Sequence, residues 1–179
     1  MEDAVGRILA ADMHARECNP PFDNSAMDGF ALKVGRGDGP LPEEWLPVGG
    51  LLGAGDPVSD CDPGSDIIEI MTGAPIPPGG YDCVVRLEDV DVEFPEGGPK
   101  RIRLRRSPSV GDNIRRAGED IGRGDKLLAQ GTLLNARHLL ILATQGIATV
   151  PVRRKLRCAI IPTGKEWSVI RRRVKFGQI

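Results

Sequence analysis

The run Pro20-Pro21-Phe22-Asp23-Asn24-Ser25-Ala26-Met27-Asp28-Gly29-Phe30-Ala31-Leu32 decides how the rest of the chain is read. Two prolines fix φ and remove two amide donors, so no regular element passes through positions 20 and 21. Asp23, Asn24 and Ser25 follow with short polar side chains that bond neighbouring amides, which favours a tight and defined loop. Asp28-Gly29 is a turn signal, and Phe30-Ala31-Leu32 reads as the start of a strand. A polar loop held by prolines at one end and by a strand at the other can keep the Asp28 carboxylate still. Standing alone, the same residues read as a turn that happens to be acidic.

Working outward, Ser65 to Thr72 reads as a strand with Ile68 and Ile70 on one face and Ile67, Glu69 and Met71 on the other. Three prolines make Ala74 to Gly80 irregular, and Cys83 to Val92 follows as a strand. Leu46-Pro47-Val48 is a weak strand between two Gly/Pro-rich stretches, Gly35 to Pro42 and Gly49 to Pro57. Arg101-Ile102-Arg103-Leu104-Arg105 alternates strictly and predicts a strand with one basic and one apolar face. With Lys100 and Arg106 that face is either a polyanion site or a solvated surface whose charges discourage edge pairing; the scarcity of aromatics favours the second. At the start, the spacing of Val5, Ile8, Leu9 and Met13 predicts a short helix or helix-to-strand transition over Glu2 to His14.

Gly111 to Gly124 is turn-rich and charged, and Lys126 to Ala129 is a short strand. Asn135 is placed to cap a helix from Ala136 to about Gln145, with Leu139, Leu140, Leu142 and Ala143 as its buried stripe and Gly146 as its stop. Ala148 to Val152 and Arg157 to Ile161 read as further strands. The fold class is mainly β with short helices (α+β). Composition agrees, since 23 glycines, 15 prolines and 4% aromatics among 179 residues favour short strands and turns over long helices.

A formal net charge of -1 gives no global field toward nucleic acid or membrane. No apolar run approaches the roughly 18 to 20 residues that span a bilayer, and Glu2, Asp3 and Arg7 interrupt any secretory core. A soluble, cytoplasmic protein is expected. Cys18, Cys61, Cys83 and Cys158 form no CxxC pair and are expected to be reduced thiols; with two histidines, His14 and His138, both read as structural, no zinc site is expected.

The opening loop resembles the signature loop of the molybdopterin molybdenumtransferases, the MoeA and gephyrin E-domain family of molybdenum cofactor synthesis. Three more stretches resemble the same family in the same order: Ile70-Met71-Thr72-Gly73-Ala74-Pro75-Ile76-Pro77, Asn113-Ile114-Arg115-Arg116-Ala117-Gly118-Glu119-Asp120-Ile121, and Ile161-Pro162-Thr163-Gly164-Lys165-Glu166. The likeness runs from about Gly6 to Glu166. It implies a compact β domain over 25–110 inserted into a discontinuous, elongated linker and dimerisation domain formed by 1–24 and 111–156, with 157–179 the truncated start of an α/β molybdopterin-binding domain. Family members usually carry helical sequence ahead of this start, a complete α/β domain after Glu166 and then a small β-barrel, so the resemblance implies an N-terminal fragment.

The family inserts molybdate into adenylated molybdopterin, releases AMP and uses a divalent cation such as Mg2+. Asp28, Thr72, Asp120 and Glu166 match family positions and are the expected catalytic residues, with Asp28 also the expected metal ligand. Asp28 would orient a metal-bound water or the substrate; Thr72, before Gly73, would present hydroxyl and amide to an anion. Asp120 lies among Glu119, Arg115 and Arg116, which also read as a salt-bridge network, with the arginines structural. Lys165 and Trp167 depart from the family pattern around Glu166. The resemblance also implies a homodimer with the site between subunits, a molybdopterin-adenylating partner protein or domain, and an isolated chain that supplies one wall of the site and is inactive alone. The other reading is a non-catalytic scaffolding or binding module made from the same domains.

Overall fold

In the computed structural model, residues 2–35, 43–60, 64–161, 163, 173, 175 and 176 are described. Their strands, in chain order, are β1 (Met13–His14), β2 (Asn24–Ser25), β3 (Gly29–Leu32), β4 (Trp45–Pro47), β5 (Leu51–Leu52) and β6 (Ile67–Ile70). These are followed by β7 (Cys83–Arg86), β8 (Val90–Glu93), β9 (Arg101–Leu104), β10 (Ile114–Arg115), β11 (Lys126–Leu128) and one α-helix, α1 (Ala136–Thr144). The described residues are mostly β with one short α-helix, as composition predicts.

β3 is central in a four-stranded sheet of order β5-β6-β3-β7, in which only β5 and β6 run parallel. Alternation explains why its residues are apolar without interruption. Phe30 and Leu32 enter one cluster with Ile67, Cys83 and Val85, while Ala31 enters another with Leu52, Ile68, Ile70, Ala74, Tyr81 and Val84. The first cluster is completed by Val90, Ile102 and Leu104 from the second sheet, β4-β9-β8. Burial pushes the Cys83 thiol up to about 12, so it behaves as a small apolar residue.

The first twenty-five residues pair with segments between Ile114 and Val152. β1 pairs antiparallel with β11 and β2 with β10, and bridges join Ile8 to Leu133 and Leu9 to Val152. A third cluster of Ala4, Leu9 and Leu134, flanked by Met13, Leu128, Leu139, Val150 and Val152, holds these segments together.

Several elements differ from expectation. Glu2 to His14 holds no α-helix: it forms a 3-10 turn at Glu2–Ala4 and reaches a strand only at Met13–His14, so of the expected helix-to-strand transition the strand is present and the helix is reduced to one turn. The Leu9 amide instead donates to the Thr132 carbonyl, and tertiary pairing leaves Val5 and Ile8 half-exposed. Cys83 to Val92 is broken by a 3-10 turn at Leu87–Asp89, where the chain leaves one sheet for the other and Arg86 grips Asp89 at 2.9 Å. The loop over Gly49 to Pro57 contains β5, too short to carry a periodic signal. Only Val152 of the predicted strand Ala148 to Val152 is bridged, and Arg157 to Ile161 is exposed and unpaired.

α1 is capped as expected. Asn135 Oδ1 accepts from the Arg137 and His138 amides at 3.0 and 3.2 Å. His138, which shows no partner in sequence, closes the box by accepting from the Asn135 amide through Nδ1 at 3.3 Å. The buried stripe is narrower than predicted: Leu142 is fully buried, whereas Leu140 is 68% exposed. Residues 36–42, Cys61, Lys165, Glu166, Trp167 and nearly all of the tail lie outside the described residues. Among the described residues no helix is long and apolar enough to cross a membrane.

Candidate functional site

Gly29, the first residue of β3, pairs with Ile70, the last of β6. Antiparallel register therefore sets Asp28, one residue before, beside Thr72, two residues after. The Thr72 amide and hydroxyl both donate to Asp28 Oδ1, each at 2.7 Å. The two donors, the amide first, hold the Asp28 carboxyl below the usual carboxylate range, so it stays ionised. Oδ2 has no protein partner among the described residues, and both side chains are exposed. Asp28 thus presents a fixed, charged oxygen to solvent. Thr72, expected to offer its hydroxyl and amide to an anion, instead spends both on Asp28.

The opening loop is strapped to both neighbours. The Gly73 amide donates to the Ser25 carbonyl and the Ser25 amide to that of Ala74, while the Ile76 amide reaches the Asp23 carbonyl. On the other side Ile114 faces Ser25 and Arg115 faces Asn24. Asp23 was expected to bond neighbouring amides. Its Oδ1 accepts instead from the Ala117 amide at 2.8 Å and its Oδ2 from Arg116 at 2.6 Å, more than ninety positions along the chain. This clamp is the contribution that sequence reasoning missed, and only the β2–β10 register would have pointed to it.

Asp120 lies within that second strap. It accepts from Arg115 at 2.6 Å and from the Asn19 side chain at 3.4 Å, while Glu119 takes Arg115 Nε and the Arg116 amide at 2.8 Å each. The expected salt-bridge network is therefore present and the arginines are structural. No hydrogen bond or ion pair among the described residues joins Asp120 to Asp28 or Thr72. Glu166 lies outside the described residues. Among those described, no three His, Cys, Asp or Glu side chains gather in a metal-binding group.

The Asp23 clamp carries a testable consequence. The Ala117 amide, and after it Arg116, hold the Asp23 carboxyl below its ordinary range. Its folded value being depressed, the clamp is complete above the unfolded aspartate value of about 3.9 and is lost as pH falls through the lower folded value. Asp23→Ala should speed exchange of the Ala117 amide on the order of tenfold at neutral pH, a scale set by loss of a charge-assisted bond. Its melting temperature should approach that of wild type toward pH 3; a gap that persists or widens there would show that Asp23 acts otherwise than through its charge.

The basic face of β9 offers no open cation row. Arg101 meets Glu93, Arg103 and Arg105 meet Asp91, Arg106 meets Asp89, and Lys100 meets Glu69. Nor does the face guard an edge, as its charges were expected to: β9 is the middle strand of its sheet, and its arginines answer carboxylates, most of them on β8 beside it.

The chain is 37% identical over 179 residues to a protein of Haemophilus influenzae named molybdopterin molybdenumtransferase, covering 100% of this chain and 42% of that one. It is 40% identical over 172 residues to the Bacillus subtilis protein of the same name, covering 93% of this chain and 39% of the relative. A crystal structure of the molybdopterin biosynthesis MoeA protein from Pyrococcus horikoshii superposes with a TM-score of 0.79 at 31% identity, over 99% of this chain and 44% of that one. The chain spans about two fifths of the length of these relatives. Residues 1–146 match the MoeA N-terminal region (domain I and II), and the chain belongs to that family.

Proposed function

We propose that this chain supplies one wall of a molybdopterin molybdenumtransferase active site, with Asp28 as its reacting-side carboxylate. The observation that carries this reading is the division of labour between the two Asp28 oxygens. Oδ1 is saturated by Thr72, which fixes the side chain, and Oδ2 is left ionised and open. Thr72 is accordingly a positioning residue. Asp120, held by Arg115 and Asn19, orders the loop next to the signature loop, and Glu166 is retained as the fourth site residue on the family pattern alone.

The substrates under this reading are adenylated molybdopterin and molybdate, and the leaving group is AMP. A single ionised oxygen on a rigid loop fits Mg2+, which binds through one or two carboxylates and completes its shell with water and substrate phosphate. Asp28 Oδ2 would hold the ion, which when bound neutralises phosphate charge. The chain's own residues keep that oxygen deprotonated and aimed: Thr72 through two short donations, and Ser25 through its exchange of backbone bonds with Gly73 and Ala74. The transferase names of the relatives count against the scaffolding alternative. The domain division 1–24 with 111–156, 25–110 and 157–179, the homodimer, the adenylating partner and a cytoplasmic location belong to the same proposal.

The test is a chimaera. Fused to the remaining part of the Bacillus subtilis relative in place of its matching segment, this chain should support molybdate-dependent AMP release, while the isolated chain should not. A chimaera that folds and dimerises yet releases no AMP overturns the reading, as does multiple turnover by the isolated chain.

A further inference from the structure

Along the second sheet, β10 and β11, cations and carboxylates are matched. Every basic residue from Arg101 to Arg106 meets an acid, as do Arg115, Arg116 and Lys126. Around one hollow they are not. Arg7, Arg153, Arg154 and Lys155, with Ile8 and Leu156, line an open space of about 200 Å³. No carboxylate lines it, and none of its four cations forms an ion pair among the described residues. Asp3 lines the adjoining hollow, which shares Arg7, without pairing with it.

Backbone pairing sets this arrangement. The Arg153 amide donates to the Ile8 carbonyl at 2.8 Å and the Ala10 amide to that of Pro151 at 2.9 Å, with Leu9 bridged to Val152 between them. The Arg7 guanidinium donates to the Arg153 carbonyl at 2.6 Å. It is pinned by a neutral acceptor and keeps most of its five N–H donors for another partner. Four like charges held together repel one another, and a multivalent anion relieves that repulsion while satisfying the open donors. The arginine fork suits phosphate oxygens in particular.

We propose that this hollow, which belongs to none of the candidate site residues, binds the oligophosphate group of a small molecule. The proposal does not depend on the reading of Asp28. Its test is calorimetric titration of the chain with inorganic diphosphate. Saturable one-site binding is expected at an ionic strength of about 0.02 M, weakening at least about tenfold near 0.2 M as screening sets in. Arg7→Ala and Arg154→Ala should each cost at least about tenfold in affinity, the scale of a lost charge-assisted contact. Arg123→Ala, which removes an exposed cation elsewhere that forms no ion pair among the described residues, should change nothing. Should Arg7→Ala fail to fold, Arg154→Ala and Lys155→Gln decide the matter, since those side chains make no hydrogen bond among the described residues. No binding at millimolar diphosphate overturns the proposal, and so does an equal loss in Arg123→Ala. A short single-stranded oligonucleotide that binds more tightly and displaces diphosphate would assign the cluster to nucleic acid and overturn it too.

Discussion

Gly29→Ala should strongly destabilise the central sheet, although it adds a single methyl group. A Cβ built at Gly29 would stand 1.9 Å from the Val85 carbonyl oxygen and 2.8 Å from its carbon. Both are backbone atoms of the adjacent strand β7, so no side chain can swing away to make room. β3 and β7 would have to part, and β3 is also paired with β6 on its other edge. Overpacking a well-filled site costs about 1 to 3 kcal/mol, and more where backbone must move, so at least about 3 kcal/mol is expected here. For a chain of this size that lowers the melting temperature by roughly 6 to 12 °C. Thermal unfolding of the two proteins side by side is the check. A variant melting within about 2 °C of wild type, the equivalent of less than about 1 kcal/mol, would show that the strands are not so closely apposed.

Asp28→Asn should do the opposite, sparing the fold and abolishing most of the chemistry. Both Thr72 donations go to Oδ1, which asparagine retains as its amide oxygen. The change therefore falls on Oδ2, where an amide nitrogen replaces an open anionic oxygen. Stability should shift by roughly 0.5 kcal/mol or less, as at ordinary surface positions. In the Bacillus subtilis chimaera, molybdate-dependent AMP release should fall about a hundredfold or more, the usual scale for a positioned catalytic group. AMP release per folded molecule, read beside thermal unfolding, separates the two roles. Turnover at the wild-type rate would leave Asp28 a turn residue that anchors Thr72.

Much of this was legible in the residues. The strand after Asp28, the strand over Ile67 to Ile70 and the capped helix at Asn135 follow from period, β-branching and cap chemistry, which are local. Gly29 shows where local reading stops. Asp28-Gly29 looks like a turn because glycine usually serves turns, yet here glycine sits inside a strand because a neighbouring backbone crosses too close for any side chain. Asp23 fails to announce itself for the same reason: its partners come from a loop more than ninety positions away. The pairing of Asp28 with Thr72 needs the β3–β6 register, and the family resemblance picked out both residues without saying that they touch. The stripe on α1 was overread because helical period gives a face but not its partner, and Leu140 has none among the described residues to cover it.

The pairing of the first twenty-five residues with segments past Ile114 has a temporal side. The first twenty-five residues have almost no structure of their own: Asp12 is satisfied by the Gln130 amide 118 positions later, and the Arg16 amide by Gln145 after 129. Synthesis makes that stretch about a hundred residues before its partners, while the four-stranded sheet between them is already complete in sequence by Arg86. The amino-terminal segment must therefore wait, extended and unpaired, and closing so long a loop onto it is slow because the entropy of bringing its ends together is lost before any contact rewards it. The intervening sheets shorten that search by drawing Ser25 and Ile114 toward each other as they condense. Assembly is therefore expected to run outward from the four-stranded sheet, with the β2–β10 pairing beside the Asp28 loop as the seam that closes after it.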